Sequence, residues 1–489
     1  MYLSPDTPLP KGITAPHYMP EAHGTGIVHF GPGAFHRAHQ AVYTDDVLSR
    51  HGGDWRICGV SLQSTSGADA LNRQGGRYCL TVPGNSGPDR RIIGSISGAL
   101  AASRGIGPVL DLLAAESTRI VSMTVTEKAY GIRRDTGAVD ISHPAIAADL
   151  ANPLEPAGVV GIIVAGLGKR RLAGLPPFTV LCCDNLPDNG SLLRTGVLDF
   201  AQRTDPDLAV WIAENVGFPS TMVDRITPAA TPELGADVAS ALGVRDEAAV
   251  ETEPFTQWVI EDKFCNGRPR WEDAGVLFVP DVAPYEKMKL RMLNGAHSLI
   301  AYTGVLIGRA FVRDVMADPV LRRLAVSHMD AAARTLPRLA AMETGEYARA
   351  LTARFANPAI AHETRQIAMD GSQKMTQRIF QPASEALDAG ETPGTYAVAT
   401  AAWMRFCAGQ INGARYALRD PLETDIRSIF DRAQGSAGRI FDGFSILPGV
   451  VPRSLSERPA WRRAVTEHLS DFLNCKTSAA FYDALAHKA

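Results

Sequence analysis

Cysteine is scarce and badly placed for cross-linking. The seven cysteines, at 58, 79, 182, 183, 265, 407 and 475, are odd in number and include no C-x-x-C pair. Most lie inside apolar strings such as WRICGV and FTVLCCDN, where a free thiol behaves as a small hydrophobe. This argues against a disulfide scaffold and a cysteine-based structural zinc, and the expected setting is the reducing cytoplasm. An excess of one charge is also missing. Lys and Arg number 49 against 52 Asp and Glu, which leaves no electrostatic footprint for nucleic acid or an anionic membrane. No apolar run approaches the ~20 residues that a membrane helix needs. The opening MYLSPDTPLPKG is proline-rich and polar, unlike a signal peptide. There is no internal repeat and no low-complexity segment. What is present is apolar content. At 45% hydrophobic the chain can build a large core and is not disordered, and its 489 residues suggest roughly two to four domains of about 150 residues each.

Over 1–284 short β-like strings alternate with helical stretches, the pattern of an α/β domain. Strands are expected at 26–30, 55–62, 119–125 and 178–183, with helices at 34–50, 108–116, 158–173 and 191–203. Segments 78–82 and 91–96 read as a β excursion away from the main sheet. From 285 the texture changes to long helical patterns, at 285–307, 319–335, 345–355, 395–407 and 459–474, so 285–489 is expected to be a second, helical domain. Loops are expected at 132–140, 152–157 and 434–438 from their Gly, Pro, Asp and Ser content.

After the strand GIVHF comes Gly31-Pro32-Gly33-Ala34-Phe35-His36, a G-x-G-x-x-H with a strand before it and a helix after it. In a dinucleotide fold the first glycine makes the tight turn and the second admits the pyrophosphate to the backbone. His36 stands where a third glycine normally eases helix packing, so an ordinary strand-turn-helix remains the competing reading. His36 and His39, three residues apart, have no carboxylate-rich partner cluster, and no metal site is expected. The end of the second strand, SLQSTS, holds no acid before Asp69 to take the adenosine ribose and no arginine cluster for a 2′-phosphate. Cofactor choice is weakly specified there.

The most informative stretch is YEKMKLRMLNGAHSLI at 285–300. Taken as an α-helix, it puts Lys289 on a face with Met292, Leu293, Ala296 and Ile300, an apolar stripe. A lysine there either snorkels to water or sits partly desolvated, and desolvation makes it a usable base near neutral pH. Asn294 and His297 lie within about 140° of it around the helix axis. Gly295, costly by ~1 kcal/mol in a helix interior, often marks close approach by a ligand or backbone. A rival match, Tyr285-x-x-x-Lys289 of short-chain dehydrogenases, is only two residues and falls in a chain too long for that class.

The strings IVHFGPGAFHRAHQAVYTDDVL, SMTVTEKAYG, LCCDNLPDNG, FPSTMVDRITP, KMKLRMLNGAHS, QIAMDGSQK and AAWMRF, in this order, resemble the polyol-specific long-chain dehydrogenases. This is the mannitol dehydrogenase family, whose signature is Lys-x4-Asn-x2-His. Within it the likeness is greater to the fructuronate reductase (mannonate oxidoreductase) branch than to mannitol 2-dehydrogenase, where an arginine would be expected in place of Gln366. The resemblance implies a Rossmann-like amino-terminal domain, a mainly α-helical carboxy-terminal domain, and metal-free, NAD-dependent chemistry in a cleft between them. It implies Lys289 as general acid/base and Asn294 and Asn185 as donors to the reacting oxygen. His297, Asp224 and Lys374 would bind substrate, and Glu286 would serve as a proton relay. The stretch 366–378 reads as helix and sets Lys374 and Arg378 one turn apart on one face, two cations suited to binding a substrate's terminal carboxylate. Gly31, Gly33, Phe35, Thr124 and Glu127 would line the cofactor. Plain alternatives stay open: Asn185 as a turn residue, Asp224-Arg225 as a structural ion pair, Lys374 and Arg378 as solvated cations. The expected partner is a small sugar acid or polyol, and no obligate protein partner is implied. Mannonate and fructuronate are expected over mannitol and fructose. A decayed nicotinamide-binding regulator and a zinc-dependent polyol dehydrogenase are the competing classes.

Overall fold

Parallel strands buried on both faces must be apolar almost throughout, and five such strings form the main sheet. They are β1 (Thr25–Phe30), β2 (Arg56–Ser61), β3 (Ile96–Ala101), β4 (Ile120–Met123) and β5 (Thr179–Cys182). All neighbours pair in parallel, in the order β3-β2-β1-β4-β5. This is a doubly wound Rossmann-like sheet whose order reverses at the β1–β4 junction, where such sheets take their ligands. In the computed structural model, which describes residues 1–84, 87–339 and 342–488, the chain divides into two compact units, Met1–Ala283 and Pro284–Ala489.

Side-chain alternation along β1 sorts the first unit's core. Val28 and Phe30 join one apolar cluster, with Val121, Met123, Val180 and the helix Val159–Leu172. Ile27 joins the other, with Ile57, Ile96, Ile120 and the helix Gln40–His51. The β excursion is present as expected: Tyr78–Val82 pairs antiparallel with Asp89–Ile93 in a separate four-stranded sheet. Thr221–Asp224, Gln257–Glu261 and Leu277–Val279 form a third sheet not foreseen from the sequence.

Two helical expectations need correction. Segment 34–50 is two helices, Ala34–Ala38 and Gln40–His51, broken at His39 with φ −125° and ψ −93°. The stretch 366–378 is not one helix either. Thr364–Ile367 stops, Asp370 takes the left-handed conformation at φ 55°, and Gly371–Met375 starts again.

The second unit is mainly helical, with a small hairpin at Gln410–Ile411 and Ala414–Arg415. Its central helix Gly295–Ile307 is buried nearly all round and packs against Pro319–Arg334 and Gly394–Cys407. A helix without a polar face needs neighbours on every side. Among the described residues no helix is long and apolar enough to cross a membrane. All seven cysteines are free thiols.

Candidate active site

In the first unit the glycine turn is fixed by its surroundings. Gly31 has φ 85°, and a Cβ there would lie 2.3 Å from the Thr124 carbonyl oxygen. Only glycine fits this close approach of β1 to β4. At Gly33 the nearest atom to an added Cβ is the Gly31 carbonyl oxygen at 3.8 Å, so the missing side chain leaves an open approach to the backbone. An open cradle beside a pinned turn, at the reversal point of the sheet, fits a dinucleotide pyrophosphate.

Beneath the turn lies a buried polar network that sequence reasoning missed. His29 shares hydrogen bonds with the Ser122 hydroxyl at 2.8 Å and the Thr124 hydroxyl at 2.9 Å. Ser122 donates to Gln40 and so accepts from His29 Nδ1–H, while the single Thr124 hydroxyl proton is shared between His29 Nε2 and the Gly31 carbonyl, each at 2.9 Å. His36, in the place of the third glycine, stacks on His29 with ring centres 3.5 Å apart. Burial pushes the His29 imidazole down to about 3 and holds His36 well below its usual value. Two stacked imidazoles are therefore both neutral at physiological pH. The signal was a histidine inside an otherwise apolar strand.

Of the other expected residues here, Phe35 stacks on His39 at 5.0 Å, and Glu127 is exposed and paired with Arg134. The loop after Thr124 is held by Asp184, which accepts from the Val125 and Thr126 amides at 3.0 and 3.1 Å and from the Tyr130 hydroxyl at 2.6 Å. Burial raises the Asp184 carboxyl despite these donors. Asn185 follows on an exposed bend. Asp224 ends its strand, buried. Arg225, beside it, donates to the carbonyls of Ala38 and Glu253. Asp69, the first acid after β2, is gripped by both terminal nitrogens of Arg104 at 2.7 and 2.8 Å.

In the second unit, Lys289 opens a π-helical turn, Lys289–Asn294, set between the α-helices Ala283–Met288 and Gly295–Ile307. The sequence suggested an unbroken α-helix. In an α-helix Lys289 and Asn294 lie about 140° apart, whereas i→i+5 pairing in a π turn stacks residues five apart on one side, and such turns occur often at functional sites. Lys289 is 8% exposed, Asn294 is half-buried, and Glu286 sits three residues before the lysine, half-buried. The π turn is anchored by Arg291, whose guanidinium donates to Glu385 at 2.7 and 2.6 Å and to the Thr335 carbonyl at 2.8 Å.

His297 is 7% exposed. Its ring lies 4.4 Å from that of Phe355 and 5.1 Å from that of His362. Burial first, then His362, Arg354 and Arg378, hold the His297 imidazole far below its usual value, so it is neutral, with one nitrogen to donate and one to accept. Buried Arg354 and the buried, unpartnered Nδ1 of His362 went unnoticed in the sequence. Nothing local in NPAIAHE marks His362 as a neighbour of His297.

Lys374 donates to the Met369 carbonyl at 2.7 Å and lies 3.8 Å from Asp370. Burial and then Arg378 lower its ammonium from the usual lysine value. Arg378 lies in a second π turn, Thr376–Phe380. Its Nη1 donates to the Asn294 carbonyl at 3.4 Å and the Ser298 hydroxyl at 3.2 Å. Among the described residues no group of three or more His, Cys, Asp or Glu is placed to hold a metal ion.

Residues 25–273 match the mannitol dehydrogenase Rossmann domain, and residues 281–440 match the mannitol dehydrogenase C-terminal domain. The chain is 46% identical over 465 residues to the uncharacterized oxidoreductase YeiQ of Escherichia coli K12, covering 94% of each chain. It is 44% identical over 416 residues to the D-mannonate oxidoreductase of the same organism, covering 84% of this chain and 86% of that one. Among solved structures, Pseudomonas fluorescens mannitol 2-dehydrogenase in ternary complex with NAD and D-mannitol matches with a TM-score of 0.80 and 35% identity, over 100% of this chain and 99% of that one. The protein belongs to the mannitol dehydrogenase family.

Proposed function

We propose that the protein is an NAD-dependent dehydrogenase that interconverts D-mannonate and D-fructuronate, with Lys289 as the general acid/base. The observation that carries this reading is the buried Lys289 with Asn294 and His297 along one π-to-α stretch. The D-mannonate oxidoreductase, at 44% identity, supports the sugar acid. D-Mannitol and D-fructose are the second reading, favoured by the likeness to mannitol 2-dehydrogenase.

Gly31, Gly33 and Phe35 hold the pyrophosphate, with Thr124 and Glu127 beside the cofactor. The chemistry that a bound nicotinamide would supply is exchange of hydride with the alcohol or ketone carbon. Lys289 as the amine takes the hydroxyl proton at Nζ during oxidation, and as the ammonium returns it during reduction. Asn185 and Asn294 donate their carboxamide N–H groups to the reacting oxygen as charge gathers there; losing one such donor typically costs about 10²–10³ in rate. Neutral His297 and the Asp224 carboxyl bind substrate hydroxyls. Lys374 and Arg378 supply the positive charge for a terminal carboxylate, and Glu286 passes protons from Lys289 to solvent. Lysine brings both the proton and the positive charge that a catalytic zinc would otherwise supply.

The test is Lys289→Ala. Turnover should be lost with NADH affinity nearly unchanged, because the lysine acts on the substrate, and external primary amines should restore part of the rate. A variant that keeps a tenth of wild-type kcat would remove Lys289 from the role.

A further inference from the structure

The two π turns of the second unit are interlocked. Arg378 in Thr376–Phe380 reaches the end of Lys289–Asn294, donating through Nη1 to the Asn294 carbonyl at 3.4 Å and the Ser298 hydroxyl at 3.2 Å. Its own carbonyl oxygen packs against Gly295, where a Cβ would stand 3.0 Å from it and 2.9 Å from His328 Nε2. Gly295 is thus the close-approach point that its place in a helix suggested, and the approaching groups are the His328 ring and a backbone carbonyl. A π turn spoils the regular i→i+4 ladder and leaves carbonyls to be satisfied from outside. The turn is held from two directions. Arg291 anchors one side to Glu385 and Thr335, and Arg378 takes the Asn294 carbonyl on the other.

We propose that Arg378 is a positioning residue for Asn294. By holding the Asn294 carbonyl and the Ser298 hydroxyl, it keeps the turn wide, with the Asn294 carboxamide on the same side as the Lys289 ammonium. This rests on the assignment of Asn294 as a donor to the reacting oxygen. It gives Arg378 a task beyond its charge: the arginine acts on every substrate, whether or not that substrate carries a carboxylate.

Arg378→Gln separates the two tasks. With the substrate that wild type turns over best, kcat at saturation should fall roughly 10- to 100-fold, somewhat less than outright removal of an oxyanion donor. On a neutral polyol KM should stay within about threefold, on a sugar acid it should also rise because the carboxylate loses a cation, and NADH affinity should not change. The primary deuterium isotope effect on kcat should rise as hydride transfer becomes limiting. Added guanidinium should restore part of kcat to Arg378→Ala. A loss confined to KM, with kcat and the isotope effect as in wild type, would overturn the proposal and leave Arg378 a substrate contact alone. If Arg378→Gln folds poorly, Ser298→Ala withdraws one of the two acceptors and should show the same split at several-fold scale. Crystal structures of wild type and Arg378→Gln read the question without turnover. A displaced Asn294 or a rewound 289–294 turn is expected, and an unchanged turn overturns the proposal. A wild type inactive with NAD on every polyol and sugar acid would defeat the functional reading, while the crystallographic comparison still decided the role of Arg378.

Discussion

Replacing Gly33 by alanine separates what the fold needs from what the cofactor needs. The backbone there has φ −74° and ψ −174°, extended geometry that alanine adopts without strain. The added methyl meets nothing nearer than the Gly31 carbonyl oxygen at 3.8 Å. Unliganded stability should therefore change by no more than about 0.5 kcal/mol, the range of an unconstrained substitution. A dinucleotide lying on this turn meets the methyl directly. Lifting the phosphates from the backbone loses at least one hydrogen bond to a charged group, about 1.5–3 kcal/mol, which is roughly a 10- to 100-fold rise in Kd. Gly31→Ala serves as the contrast. At φ 85°, with its Cβ 2.3 Å from a backbone oxygen, it should lower the melting temperature as well as the affinity. The assay is NADH fluorescence titration beside a thermal melt of each variant. Gly33→Ala with unchanged melting and unchanged NADH affinity would show that the pyrophosphate does not rest on this turn.

Lys374→Met should raise KM for mannonate several-fold and leave neutral polyols nearly untouched, so steady-state kinetics on both substrates would expose a merely solvated cation by equal losses or none. NAD(H) should give the higher kcat/KM, because Asp69 already occupies Arg104 and an unpaired 2′-phosphate would be costly; a higher value for NADP(H) would refute this. His328 is fully buried, with its imidazole pushed down to about 4 by burial. Its unfolded value near 6.5 is higher, so the unfolded chain takes up the proton first. The contribution is complete above about pH 6.5 and fades as pH falls toward 4, reaching about 2 kcal/mol of loss at pH 5. His328→Gln should therefore lose less stability than wild type between pH 7.5 and 5, and parallel denaturation curves for the two proteins would contradict the assignment.

The main sheet was legible because its strands are buried on both faces and so must be short apolar strings: 26–30 and 178–183 were expected, and Thr25–Phe30 and Thr179–Cys182 are found. Helices such as Pro459–Asn474 were legible because amphipathic spacing and a first-turn proline are local signals. The third sheet was not legible, since a string such as TMVD at Thr221–Asp224 sets its apolar pair between polar residues and does not stand out as the apolar run that marks Thr179–Cys182. The π turn at Lys289 escaped for a different reason. Apolar spacing along one segment does not tell α from π, and what holds the wide turn lies far off in sequence, at Glu385 and Arg378. The glycine turn was readable because its constraint is nearly local. The His29–Ser122–Thr124 network beneath it required β1 and β4 to be neighbours. His362 and Arg354 beside His297 depended in the same way on how separate segments of the second unit pack.

The most direct measurement is the wild-type enzyme's choice of substrate with NAD(H). Initial rates at 340 nm on mannonate, altronate, mannitol, arabinitol and sorbitol, with fructuronate and fructose in reverse, give kcat/KM for each. Mannonate and fructuronate should exceed mannitol and fructose by at least about tenfold, on the order of 1.4 kcal/mol in transition-state binding. Mannitol turned over as well as mannonate, or better, would contradict it and leave the neutral polyol as the substrate.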